Sequence, residues 1–265
     1  MTGGVAGGRP TALSQRARLW FAAAGGVLVV VVLVPPISGS ADHYLFVEAV
    51  RFSVLAMVAP ALVVVGAPWR FLGPASATLD RLAEGRRRHP NFVRSLGFLV
   101  VDLVVVVLWR TPPAVDAVSR HGALVLVEAA TLIGAGAGLW LELVESPPLV
   151  PRSIRPRRAV LAALAMWTIW TIAYTVAMSH HAWYRGFHHV AGAGLSSSAD
   201  RQLSTFVLWA AAASVFMPVI FWNLLQWLRS EDDPDHELFR LVREERRRSA
   251  VLLRSQPGDD GGLRG

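Results

Sequence analysis

Apolar residues run almost unbroken through six stretches of this chain, at 19–37, 44–66, 92–109, 123–144, 159–178 and 203–228. Crossing roughly 30 Å of hydrocarbon as a helix takes about 17–25 residues, and each stretch is long enough. Inside lipid every backbone N–H and C=O must be paired within its own segment, so these runs predict helices. A membrane β-barrel would show short alternating segments, and these runs do not alternate. The predicted fold is therefore all-α: an integral membrane helical bundle of about six transmembrane helices. A short segment, 1–18, precedes the bundle (19–228), and a charged tail, 229–265, follows it.

Composition agrees with the pattern. Of the 265 residues 53% are hydrophobic and 17% charged, against about 25% charged in a globular domain. An aqueous enzyme does not fit, and a formal charge of +7 does not indicate nucleic acid here. On a membrane protein, basic residues report topology. All 26 of them are Arg. The segments 1–18, 67–91 and 145–158 hold 12 Arg; the segments on the other side hold only Arg110, Arg120, Arg185 and Arg201. The positive-inside rule then places both termini in the cytoplasm, in a cell membrane and most naturally a bacterial plasma membrane. Cysteine is absent, which removes disulfides and thiolate ligands together.

The first run raises a processing question. Arg16 and Arg18 precede it and Ser38-Gly39-Ser40-Ala41 follows it, as around a signal-peptide cleavage site. The run is long for such a segment, and Pro35-Pro36 can simply end a helix, so a retained helix is expected; cleavage would leave five spans in the same orientation. In the tail, the stretch 231–235 is acidic and 236–253 predicts a helix, apolar on one side and basic elsewhere. Such a helix either lies on anionic membrane lipid or is an ordinary solvated one. The last ten residues, rich in Gly and Asp, read as disordered.

Ionisable residues at membrane depth are costly unless paired or hydrated. Glu48, Arg51 and Glu128 fall at matching depth, Asp102 near the centre of the third run, and Glu142 near the end of the fourth. They form either a polar pocket for an ion, a proton or a partner, or an interhelical ion pair of Arg51 with Glu128 or Glu48. Pro60 and Pro218 lie within runs and should bend their helices. Ala130, Gly134 and Gly138 recur every four residues and offer a face for close helix packing.

Six of the eight histidines, His43, His121, His180, His181, His188 and His189, fall on the predicted outer side. His180, His181, His188 and His189 bracket Trp183 and Tyr184. Imidazoles in this number suit copper or zinc without a thiolate; equally, His, Trp and Tyr belong at the headgroup level. No Ser–His–Asp arrangement, phosphate-binding glycine loop or HExxH motif is present, so no enzymatic activity is expected.

Four stretches resemble a known family. Met57-Val58-Ala59-Pro60-Ala61-Leu62 with Val65-Gly66-Ala67-Pro68 is similar to the second-helix signature of the CtaG proteins, assembly factors for cytochrome c oxidase. Leu108-Trp109 with Pro112-Pro113, then Glu128 with Gly136 and Trp140, and Ala199-Asp200-Arg201-Gln202-Leu203 ending at Leu208-Trp209 follow in the family's order. The resemblance covers roughly 42–228. It implies a multi-pass protein that works with oxidase subunits, helps to install copper and presents its working face outside. Typical members carry two HxxxH pairs; the corresponding positions here are Glu48 and Phe52, then Val125 and Ala129. Carboxylates alone favour harder ions, so copper handling would rest on His180, His181, His188 and His189, or be absent. The functions to weigh are an oxidase assembly factor, a respiratory-chain interaction protein without metal chemistry, and a small proton-coupled transporter built on Asp102, Glu48 and Glu128.

Overall fold

Ser14 opens the first helix: its hydroxyl accepts the Ala17 N–H at 3.2 Å, the usual side-chain answer to the unpaired donors of a helix start. The computed structural model describes residues 14–71, 76–88, 92–178, 184, 187 and 195–231. Helix α1 (Gln15–Leu33) stops at Leu33, four residues before the predicted end, because the residue before a proline is driven out of helical geometry. The short α2 (Ile37–Ala41) follows.

The second run is one continuous helical segment, Leu45–Gly66, made of α3 (Leu45–Ser53), a π turn (Val54–Val58) and α4 (Ala59–Gly66). Pro60 explains the π turn. It has no N–H to give, and just before it the Ala59 N–H reaches back five residues to the Val54 carbonyl, the π pattern. Ala67 then takes a left-handed conformation, φ 47°, and its N–H caps the Val63 carbonyl at 3.0 Å. Pro68 begins a 3-10 turn, Pro68–Phe71.

Helices α5 (Ser76–Arg88), α6 (Phe92–Trp109), α7 (Pro112–Arg120), α8 (Gly122–Leu143), α9 (Arg155–Met178) and α10 (Ser197–Glu231) follow among the described residues. Pro218 is carried inside α10. Among the described residues six helical segments are long and apolar enough to cross a membrane: Gln15–Leu33, Leu45–Gly66, Phe92–Trp109, Gly122–Leu143, Arg155–Met178 and Ser197–Arg229. Among the described residues there is no strand, only an isolated bridge between Ser146 and Leu149.

The helices are turned inside out relative to a water-soluble bundle. On α6 the inward face is Ser95, Leu99, Asp102 and Val106, while Val93, Val100, Val101, Val104 and Leu108 point outward. A helix apolar all round, with its few polar groups facing its neighbours, is suited to lipid rather than water. Association inside lipid then depends on close packing of small residues. A Cβ on Gly66 would lie 2.5 Å from the Ala22 nitrogen of α1, and one on Gly136 would lie 2.8 Å from the Ala56 carbonyl. A Cβ on Gly138 would meet the Phe98 ring at 2.8 Å.

The expected stripe of Ala130, Gly134 and Gly138 holds at Gly138, which packs on the Phe98 ring, and is corrected at the other two positions. Ala130 is exposed and nothing lies within 4 Å of a Cβ built on Gly134. The packed face of α8 runs through Ala129, Leu132, Gly136 and Leu139. Glu128 and Glu142 lie on that inward side and set its register, because charge must face other helices rather than lipid.

The chain divides into two compact units after Asn223. The first contains the bundle. The described part of the second, 224–231, is the end of α10. The expected tail helix at 236–253, the acidic stretch beyond Glu231 and the last ten residues lie outside the described residues.

Candidate functional site

The start of α3 supplies Glu48 and Arg51 one turn apart, and the start of α8 supplies Glu128. Arg110 follows the last residue of α6. These four side chains form two ion pairs at the end of the bundle where α3, α8 and α10 begin. Arg51 Nη2 donates to Glu128 Oε2 at 3.3 Å. Arg110 Nη1 donates to Glu48 Oε2, with its guanidinium 4.8 Å above the Phe52 ring. All four charged groups are buried, none more than 3% exposed.

The two sequence alternatives for Arg51 are thus resolved in favour of Glu128, and Glu48 takes a partner that sequence reasoning counted only as a loop charge. Arg51 Nε and Nη1 and Arg110 Nε and Nη2 are buried without a partner among the described residues. Donors therefore outnumber acceptors, and the cluster leans towards accepting negative rather than positive groups.

Two contacts fasten further chain to this end. Tyr184 donates its hydroxyl to the Arg110 carbonyl at 3.1 Å. Burial pushes the Tyr184 phenol above its ordinary value, with Arg110 pulling the other way. Asp200, in the first turn of α10, accepts the Leu45 N–H through Oδ2 and the Phe46 N–H through Oδ1, each at 2.9 Å. Tyr44, the residue preceding α3, makes no side-chain cap, so a carboxylate from another helix fills that role.

A second polar station lies 14 residues further along α8, about 21 Å at 1.5 Å per residue. Glu142, fully buried, accepts from Arg86 Nη2 at 2.6 Å, Ser95 Oγ at 2.8 Å and Arg152 Nη1 at 2.9 Å. Arg86 also donates to the Val150 and Leu141 carbonyls, which ties α5 to the end of α8. Burial pulls the Arg86 guanidinium below its ordinary value, and Glu142 opposes that pull.

Asp102 joins neither station. It is 6% exposed and has no hydrogen-bond or ion-pair partner among the described residues. Eight residues of helix, about 12 Å, separate it from Arg110. Of the three acids proposed for a proton-coupled carrier, Glu48 and Glu128 share the cluster and Asp102 does not join them.

Of the motif residues, Asp200 caps and Trp140 and Trp209 pack. Trp140 is buried and stacks on Phe216 at 5.4 Å. Trp209 stacks on Trp170 at 5.1 Å, and its carbonyl accepts the Trp170 indole N–H at 3.2 Å. Gln202 is exposed. The four histidines His180, His181, His188 and His189 lie outside the described residues.

Residues 4–230 match a protein family described as the cytochrome c oxidase caa3 assembly factor, Caa3_CtaG. The chain belongs to this family. No curated protein and no solved structure matches it. The match takes in all six apolar helices, and membership in Caa3_CtaG supports a role in cytochrome c oxidase assembly and in the membrane.

For copper, the cargo that the CtaG resemblance implies, the cluster of Glu48, Arg51, Arg110 and Glu128 is a poor fit. Among the described residues no group of three or more His, Cys, Asp or Glu side chains could hold a metal ion. Each carboxylate of the cluster already carries a guanidinium, so an added cation would face two fixed positive charges at short range in a medium of low dielectric constant.

Proposed function

We propose that this chain is a multi-pass assembly factor that engages cytochrome c oxidase subunits within the bilayer of a bacterial plasma membrane, with both termini cytoplasmic. The Caa3_CtaG match over residues 4–230 carries this reading. The Arg distribution supports the orientation, since the Arg-rich segments flank one end of the bundle. In this orientation the Glu48–Arg110 and Arg51–Glu128 pairs lie towards the outer face. There they hold α3, α6 and α8 together, and the connection carrying His180, His181, His188 and His189 stands outside. Those imidazoles are the groups that would present copper, as neutral nitrogen ligands suited to it.

A second reading, assembly without metal chemistry, draws on the same cluster, because its carboxylates are neutralised internally. Purification of the full chain in mild detergent separates the two. Oxidase subunits should co-purify under both readings. Stoichiometric copper held against a competing chelator, and reduced in His180→Ala/His181→Ala, is the result expected for copper presentation. Co-purified oxidase with no bound copper supports the metal-free reading, and the absence of oxidase subunits contradicts both.

A further inference from the structure

At the Glu142 end of the bundle, arginine outnumbers carboxylate. Arg86 Nη2 and Arg152 Nη1 donate to the same oxygen, Glu142 Oε1, at 2.6 Å and 2.9 Å, so one carboxylate answers two guanidiniums. Glu145, three residues on, is engaged by Arg158. Arg152 Nε is buried without a partner among the described residues. The Arg152 side chain is 14% exposed, against 7% for Arg86 and none for Glu142, so Arg152 is the member that reaches the surface.

Helix α6 sets where it does so. The Arg152 guanidinium lies 5.7 Å from the centre of the Phe98 ring, and Phe98 is partly exposed beside Gly138 of α8. Arg94 precedes Phe98 by four residues and therefore shares its face of the helix. Arg94 is exposed and pairs with no carboxylate among the described residues. It is the third residue of α6, about 3 Å from the start at 1.5 Å per residue, which is the boundary of the apolar span. Further along the same face come Val101, Val105 and Leu108, with Val101 and Leu108 more than half exposed.

This seam has the two halves of a phospholipid in negative. At the boundary stand three arginines against one glutamate, and their planar N–H pairs match phosphate oxygens. An apolar track then runs into the bilayer. The excess of positive charge selects a headgroup with net negative charge over a zwitterionic one. We infer that Arg94 and Arg152, backed by Arg86, hold the phosphate of an anionic phospholipid at the seam between α6 and α8, with an acyl chain along Phe98, Val101 and Leu108. In the orientation proposed above, the lipid belongs to the cytoplasmic leaflet, whose surface potential is negative.

The test titrates the full chain, purified in a neutral detergent, with dioleoyl phosphatidylglycerol or dioleoyl phosphatidylcholine and measures retained lipid by native mass spectrometry. An arginine near the headgroups contributes about fivefold in affinity. Phosphatidylglycerol should therefore bind at least about fivefold more tightly than phosphatidylcholine. Arg94→Gln should weaken phosphatidylglycerol by about fivefold, leave phosphatidylcholine unchanged and keep the melting temperature, because Arg94 leaves no partner stranded. Arg152→Gln should weaken it too, but that variant also takes a partner from Glu142, so Arg94→Gln decides. Arg16→Gln, at an exposed arginine of α1, should change nothing. Inorganic phosphate, compared with chloride at equal ionic strength, should not displace the lipid, since it has no acyl chain to follow the track. Equal affinity of the wild-type chain for the two lipids, or equal affinity of wild type and Arg94→Gln for phosphatidylglycerol, overturns the site. Displacement by inorganic phosphate assigns these arginines to a free anion and overturns the lipid.

Discussion

Asp200 caps a helix to which it does not belong: both of its carboxylate oxygens accept backbone N–H groups at the start of α3, from Leu45 and from Phe46, at 2.9 Å. The two residues are 155 positions apart in sequence at Leu45, so the contact fixes the start of α10 against the start of α3. Removing a side-chain cap costs about 0.5–2 kcal/mol. Asp200→Ala should lower the thermal midpoint of the detergent-purified protein clearly, Asp200→Asn less, and Gln202→Ala, at an exposed position, not at all. Equal midpoints for Asp200→Ala and Gln202→Ala would remove the cap from the account.

The Glu48–Arg110 pair should show strong coupling. Breaking a buried pair by removing one partner leaves an uncompensated charge, at about 3–5 kcal/mol, whereas removing both avoids that penalty. Glu48→Gln and Arg110→Gln should each destabilise severely, and the double variant should be more stable than either. A double-mutant cycle by thermal or denaturant unfolding measures this; additive losses would show that the two groups do not interact.

Small residues on α8 and α4 should divide sharply by position. A methyl at Gly66 would press on the Ala22 backbone and one at Gly136 on the Ala56 carbonyl and the Pro60 ring, while one at Gly134 meets nothing. Overpacking typically costs about 1–3 kcal/mol. Gly66→Ala and Gly136→Ala should therefore reduce the yield of folded protein and its melting temperature, and Gly134→Ala should behave as wild type. Sensitivity at Gly134 comparable to that at Gly136 would mean that α8 packs in the other register.

Alkaline stability follows from the buried Tyr184 phenol, held above its ordinary value by burial. A group with a raised folded-state value contributes fully below its unfolded value, about 10 for Tyr, and the contribution is lost as pH rises through the folded value. Wild-type stability should fall above about pH 10, and Tyr184→Phe, already lacking the hydroxyl, should lose less over the same interval. Parallel pH profiles for the two proteins would contradict this.

Much of the architecture is legible in the sequence because hydrocarbon imposes a single rule, continuous apolar length, that leaves a plain trace. The sequence predicts six runs, and six apolar helices are observed among the described residues. What the rule does not encode is the short amphipathic helices, α5 and α7, whose polar residues read as loop. It also leaves out the length of α10, whose first turns, Ser197 to Gln202, are too polar to count as apolar run. The glutamates and Arg51 stood out because charge is rare at depth. Their partners did not: Arg110, Arg86 and Arg152 sit at helix ends, where arginine is ordinary, and only packing across 62, 56 and 10 residues of separation matches them to Glu48 and Glu142. Asp200 carried a motif signal but no hint that it would cap α3.

We propose that this chain serves the assembly of cytochrome c oxidase and presents copper from His180, His181, His188 and His189. The most direct measurement is the copper-to-haem ratio of oxidase isolated from a strain lacking the gene, beside the same strain complemented with the wild-type chain and with His180→Ala/His181→Ala. The ratio should fall in the deletion, return with the wild-type chain and return only in part with the histidine variant. A full complement of copper and normal oxidase activity in the deletion strain would contradict the claim.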